Sequence, residues 1–351
     1  MRSCILKPTI VALNPSWMSS PLYPPRKASM SRKTPQPTSG DAPTVSPLFN
    51  DNDADVIIRT SDNVDFRVHK LILKRASSVF DDMFNVPTTV HAEEIQTVVV
   101  TEDGSTLTKL FQLCYPMSGP SFDNIQQIGK LLRVCDKYQM VDMMNRLAKL
   151  SLGAFMQSDP LQAYALACCA RADEEVRKAA FYCLGKSLSE IINGGISGIP
   201  HITVPSYHAL LKYHHACSRA AQETITSWTF SSWVKPTAST RTYCWLREKF
   251  DLYNNKHSNC PFTETKVDWD GASLRVYKWW EVYMKNIAET FSEAYPPSPV
   301  GPLHVRMALP PPPDCEYCKA RYAEDLSIFL PQLKWRIDSQ IAKVSNTIIY
   351  V

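Results

Sequence analysis

The stretch "FRVHKLILKRASSVFDDMF" (residues 66–84) carries two hydrophobic periods back to back. Phe66 and Val68 alternate with Arg67 and continue a run begun by Val64 and Asp65, the period of a half-buried strand. From Ile72 the spacing changes. Ile72, Ala76, Val79, Phe80, Met83 and Phe84 fall on one helical face, which Pro87 ends. His69 and Lys70 sit at the handover. No Ser or Cys nucleophile and no glycine-rich oxyanion loop lies nearby in the chain, so the pair reads as a strand–helix joint rather than as acid–base chemistry. At such a joint His69 is expected to satisfy helix-end amides and to pack.

Working outward, "DADVIIRTSDNVDFRVHK" (53–70) places the β-branched run Val56–Ile58 before a turn at 61–63, which predicts a β-hairpin. "IQTVVVT" (95–101) predicts a third strand, and "DGS" (103–105) opens a helix bearing Leu107, Leu110, Phe111 and Cys114. Two further helices are expected over 121–137 and 140–156. Asp159 followed by Pro160 signals a helix start, and Asp173 a second. The short link between them predicts antiparallel neighbours. "NGGISGIP" (193–200) separates this pair from a helix around 205–230. The last third is aromatic and reads as mostly helical. One stripe runs through Val276, Trp280, Tyr283, Met284, Ile287 and Phe291, and another from Leu326 to Ile348 is interrupted by Pro331.

Order and letters together resemble the BTB/POZ domain. The matching residues are Asp55-Val56, Phe66-x-x-His69-Lys70, Leu73 and Ser77-x-x-Phe80. "LCYP" (113–116), "KYQM" (137–140) and "DPLQAYALACCARADEEVRKAAFYCL" (159–184) are similar to a fungal, basidiomycete-like branch with a BACK-like helical region. The resemblance implies an α+β class. A BTB/POZ fold of short strands packed with helical hairpins spans 51–150, an all-α BACK-like region 151–235, and a mainly α-helical C-terminal domain 236–351. It also implies a protein–protein interaction scaffold that forms homodimers, and in many members a cullin-dependent ubiquitin-ligase substrate adaptor for a client protein. The charged pocket near the family's dimer interface maps onto Asp55 and Lys70, expected as a buried pair in which losing one partner costs more than losing both. The loop "NVPTTVHAEE" (85–94) lacks the hydrophobic-x-Glu motif of strong cullin adaptors.

Composition narrows the alternatives. The 351 residues are 44% hydrophobic and 21% charged with net charge +4, a globular balance with no electrostatic footprint for nucleic acid. Residues 1–50 hold six Lys or Arg, one acid and nine prolines, and read as a disordered Pro/Ser-rich basic tail. Within it "PPRKASMSRK" (24–33) reads as solvated linker, with a weak nuclear signal or phosphorylation target as the other readings, and Met30 is a second candidate start. Eleven irregularly spaced cysteines form no disulfide framework, no apolar run is long enough to span a bilayer, and a reducing cytoplasm or nucleus is expected. No phosphate-binding glycine loop occurs.

The motif with inorganic potential is "DCEYC" (314–318). Cys315 and Cys318 allow two thiolates to hold one Zn²⁺, and "HSNC" offers His257 and Cys260 as a second pair at compatible spacing. Two readings stay open: a structural zinc in a closed four-ligand site, or two pairs of thiol and imidazole side chains without metal. Cys244 and His304 are competing ligands. His214 and Cys217 share a helical face and offer a further ligand pair, against a polar helix surface. The zinc reading implies an alternative function, a zinc-stabilised regulatory, transcription-related protein with BTB oligomerisation. A catalytic role is not expected, because no nucleophile, base and orienting group share a spacing.

Overall fold

The computed structural model describes residues 42–85, 95–193, 202–227, 234, 243–247, 257, 260–269, 272–293 and 313–348. The basic run at 24–33, the loop at 86–94 and His304 lie outside them.

The first region is a four-stranded sheet capped by helices. Strands β1 (Thr44–Asn50), β2 (Val56–Arg59), β3 (Val64–Val68) and β4 (Gln96–Val99) lie in the order β1-β3-β2-β4. The expected hairpin is β2–β3, antiparallel in a register that faces Val56 to Val68 and Ile58 to Phe66. Its turn places Asn63 at φ 61°, a left-handed conformation that Asn tolerates better than most residues. Asp62 in that turn accepts a hydrogen bond from the Gly104 N–H at 2.9 Å. A Cβ on Gly104 would meet Val64 Cγ2 at 3.1 Å, so glycine lets the helix start approach the hairpin without displacing Val64.

β1 corrects the tail boundary drawn at residue 50. Residues 44–50 pair in parallel with β3 and bury Ser46 and Phe49, Phe49 packing against Phe66, Phe111 and Tyr115. Pro43 and Pro47 conceal this strand in the sequence, and its register shifts between Val45 and Asn50, which breaks the period-2 pattern. The single helical stripe expected over 72–84 is also divided, into α1 (Lys70–Ala76) and α2 (Ser78–Asn85). Ser77 between them is extended; its hydroxyl donates to the Tyr138 carbonyl at 2.6 Å and accepts from the Phe80 N–H.

Helices α3 (Gly104–Cys114), α4 (Ile125–Lys137) and α5 (Val141–Ser151) follow, then a 3-10 turn at Leu152–Phe155, α6 (Pro160–Cys169), α7 (Asp173–Cys183), α8 (Leu188–Asn193) and α9 (Val204–Thr226). The α4–α5 and α6–α7 hairpins close by the same device. After α4, Gln139 at φ 52° and Met140 return hydrogen bonds to the carbonyls of Asp136 and Cys135. After α6, Arg171 at φ 52° and Ala172 do the same to Cys168 and Ala167. Both are Schellman closures made without glycine, and each three-residue link ends on the residue that starts the next helix. The expected antiparallel pairing of α6 and α7 follows from this geometry.

The C-terminal third is not purely helical. Strands β5 (Leu246–Arg247), β6 (Phe262–Trp269) and β7 (Ala272–Tyr277) form an antiparallel sheet in the order β5-β7-β6, ahead of α10 (Lys278–Glu293) and α11 (Glu316–Ile348). Val276, expected on a helical stripe, is instead a buried strand residue. Pro331 does not break α11; it sits on the exposed side, inside one continuous helix. α9, assigned by sequence to the block ending at 235, packs chiefly against α10 and α11. Tyr243, Trp245, Trp280 and Phe329 stack between the sheet and these helices.

Candidate functional site

Two clusters of potential ligands form among the described residues, one in each of the regions the sequence singles out. The first is the strand–helix joint. His69 is the residue before α1, but its side chain makes no cap hydrogen bond, contrary to the expectation that it satisfies helix-end amides. That work falls to Asp55, whose Oδ1 accepts from the Lys70 backbone N–H at 2.6 Å. His69 is held instead by Tyr115: the tyrosine oxygen accepts from the His69 N–H at 2.9 Å and lies 3.1 Å from Nδ1. Burial pushes the Tyr115 hydroxyl up to about 12, so it stays a neutral partner. Asp53 and Asp51 approach the ring at 3.4 and 4.0 Å, both from exposed positions.

Asp55 and Lys70 meet, through the Lys70 backbone. In the single chain Asp55 is exposed and binds the Lys70 amide, while the Lys70 ammonium lies over the Phe84 ring at 5.8 Å. The reason is local: a carboxylate at this position meets the first free amide of α1 before it can reach the longer side chain's end. Around the joint, the sheet's outer strand β1 exposes Val45 and Leu48, and α1 exposes Leu71.

The second cluster joins parts of the chain far apart in sequence. His257 and Cys260 lie just ahead of β6; Cys315 immediately precedes α11 and Cys318 lies in its first turn. One ligand atom from each of the four lies within 4.8 Å of all the others. His257 Nδ1 is 3.3 Å from Cys318 Sγ and 3.7 Å from Cys315 Sγ, and Cys260 Sγ is 3.6 Å from Cys318 Sγ. None of the described cysteines is in a disulfide. Cys315 and Cys318 are buried, and His257 and Cys260 half-buried. The imidazole stacks on Tyr277 at 4.4 Å and meets Tyr317 edge-on at 4.7 Å, so aromatic walls aim Nδ1 at the sulfurs. The base of the cluster is tied to the core: Cys318 Sγ lies 3.6 Å from the Cys244 carbonyl, and the Cys244 N–H donates to Asp325 at 2.7 Å.

As thiols, Cys260 and Cys318 are poor nucleophiles. Burial and the neighbouring sulfurs push Cys260 well above the ordinary thiol range, and hydrogen bonding toward Cys244 together with burial does the same to Cys318. Elsewhere burial raises Cys135 and Cys217 to about 12, the reverse of the activation a catalytic thiol needs. His214 and Cys217 belong to neither cluster and form no polar surface. Both are buried, and His214 Nε2 donates to the Lys186 carbonyl at 2.9 Å, with burial lowering its pKa. Cys244, a competing ligand by sequence, contributes its backbone rather than its sulfur to the contacts with Cys318 and Asp325. Sequence reasoning missed Tyr115 and Asp325, which reach their partners only through tertiary packing.

No helix among the described residues is long and apolar enough to cross a membrane. A search of curated proteins finds no match to this chain. A family model described as the BTB/POZ domain matches residues 46–152, beginning inside β1 and ending just after α5. Residues 46–152 are therefore a BTB/POZ domain, a module for protein–protein interaction.

Proposed function

We propose that this chain is a non-enzymatic scaffold that self-associates through its BTB/POZ domain and leaves its C-terminal region to bind a client protein. The observation that carries this reading is apolar exposure on neighbouring elements: Leu48 is 53% exposed on β1 and Leu71 64% exposed on α1. β1 is an outer strand of the sheet, so among the described residues one of its backbone edges has no strand partner. The occupant that fits is a second copy of the chain, because a two-fold contact lays the same edge and the same leucines on both partners. Fully burying a leucine side chain contributes about 1.5–3 kcal/mol, so two from each partner supply a substantial part of a dimer's affinity. Asp55 and Lys70, at the start of α1, flank this surface and would be covered on association.

Light scattering on the full chain tests the reading. A dimer is expected, and Leu71→Asp should shift it to monomer while leaving the thermal melt of the domain unchanged. A wild-type monomer at tens of micromolar, or a Leu71→Asp dimer, would refute it. The N-terminal repeat region of a cullin, added to the same sample, distinguishes the finer roles. Co-elution makes the scaffold a ubiquitin-ligase adaptor, and separate elution leaves a homotypic scaffold.

A further inference from the structure

We propose that His257, Cys260, Cys315 and Cys318 form a closed Cys3His site for a structural zinc ion that fastens the C-terminal sheet to α11. The site lies outside the BTB/POZ domain, and its distances are those of a tetrahedral metal centre. A tetrahedral ion with Zn–S of about 2.3 Å and Zn–N of about 2.0–2.1 Å sets its ligand atoms roughly 3.8 Å apart between sulfurs and about 3.5 Å between sulfur and nitrogen. The separations in the structure are 3.6 Å for Cys260–Cys318, and 3.7 and 3.3 Å from His257 Nδ1 to the sulfurs of Cys315 and Cys318. These three separations match edges of such a tetrahedron, and all four ligand atoms lie within 4.8 Å of one another. A disulfide would need its two sulfurs near 2.05 Å, whereas those of Cys260 and Cys318 stand 3.6 Å apart.

Chemistry agrees with distance. Three thiols and one imidazole are a soft donor set that suits zinc, and no carboxylate belongs to the group, which argues against calcium or magnesium. Four protein donors leave no position for water or substrate, the mark of a structural rather than a catalytic ion. The spacing repeats: His257-x-x-Cys260 in the loop before β6, and Cys315-x-x-Cys318 across the start of α11. The second pair sits at the positive end of a 33-residue helix, where amide dipoles favour anionic sulfur. Around the ring, Tyr277 and Tyr317 fix the imidazole plane with Nδ1 toward the sulfurs; an ion bound at Nδ1 leaves the proton on Nε2. On binding, the three thiols each release a proton to solvent, three Zn–S bonds form, and Nδ1 donates its lone pair; nothing is oxidised or reduced.

The test uses the full chain, expressed and purified without chelators and in reductant, with metal content measured by mass spectrometry of the elements. About one zinc per chain is expected, released when the three sulfurs are titrated with an organomercurial. Refolding with cobalt in place of zinc should give the intense visible absorption of a tetrahedral cobalt–thiolate centre. Cys315→Ser and Cys318→Ser should lose both the bound zinc and that absorption. His257→Cys should keep them, because a fourth thiolate can replace the imidazole, and Cys114→Ser on α3 should change neither. The wild-type stoichiometry stands even where a serine variant fails to fold. Wild-type protein with no bound zinc, or a disulfide between Cys260 and Cys318 in the intact mass, would overturn the proposal. Light scattering of the metal-stripped chain separates this outcome from the scaffold reading: loss of zinc with an unchanged dimer leaves self-association intact.

Discussion

His69 stands beside two carboxylates at the surface, whereas His257 stands beside three thiols at the edge of the core. Sequence alone makes both attractive, each a histidine near candidate partners. The difference lies in what surrounds the partners. Asp51 and Asp53 are exposed, so water already solvates them and their approach to His69 needs no further ligand. Cys315 and Cys318 are buried, with two more donors held against them, and packed sulfurs have little other reason to converge. Burial of a convergent donor set separates a site from a joint better than residue type does.

The largest expected effect tests the His257 side of this comparison. Chelation, or Cys318→Ala, should lower the melting temperature of the C-terminal region by roughly 10 °C or more. That corresponds to several kcal/mol at about 2–4 °C per kcal/mol. Asp53→Asn beside His69 should move it by less than about 0.5 kcal/mol, as surface substitutions do. Equal effects at the two clusters would erase the distinction. Next in size is Tyr115→Phe, which removes the acceptor of the His69 N–H and should cost about 1–3 kcal/mol in denaturant unfolding. A change too small to measure would show that Tyr115 does not hold the joint.

A smaller effect concerns how helices begin, by carboxylate in α3 and by thiols in α11. Burial alone would raise the Asp103 carboxyl. Hydrogen bonds from Lys130, Ser105 and Thr106 outweigh it and hold the group well below the usual range. The folded pKa is thus lower than the unfolded one. Its contribution is present above about pH 4 and is lost as acid protonates the group. Asp103→Asn should flatten stability between about pH 5 and pH 2, by under about 1 kcal/mol because the side chain is a third exposed. An unchanged slope would remove Asp103 from the acid response. The smallest change is a gain. Arg171 holds φ 52° at the end of α6, a conformation that costs a residue with a Cβ about 1 kcal/mol, so Arg171→Gly should stabilise the fold by about 0.5–1 kcal/mol in urea unfolding. Destabilisation there would mean that the Arg171 side chain contributes more than its backbone strain costs.

The BTB/POZ core was legible where period and burial agree: Val56, Ile58, Phe66 and Val68 alternate in sequence and are buried in the sheet. β1 was not, because two prolines and a register shift hide its two inward residues. The stripe across 72–84 packs against the core but omits Leu73, the buried residue of α1, and it could not reveal Ser77, whose hydroxyl bonds the distant Tyr138 carbonyl. In the C-terminal third "SLRVY" preceded a strong helix, and five residues are too few to separate a strand from one more helical turn. The four members of the metal cluster were legible through ligand spacing alone, since C-x-x-C and H-x-x-C pairs report local geometry. Their convergence was not, because it depends on tertiary packing that brings the start of α11 to the residues ahead of β6.

The meeting of Cys260 with Cys318, 58 positions later, also sets an order of events during synthesis. Residues 46–152 can complete their own hairpins while later chain is still inside the ribosome. The first half of the cluster emerges much earlier than the second and must wait, with His257 and Cys260 accessible to stray metals and oxidants, until α11 arrives. A cell that slows translation between residues 260 and 315 would lengthen that wait, so codon choice in this interval bears on the yield of correctly assembled protein.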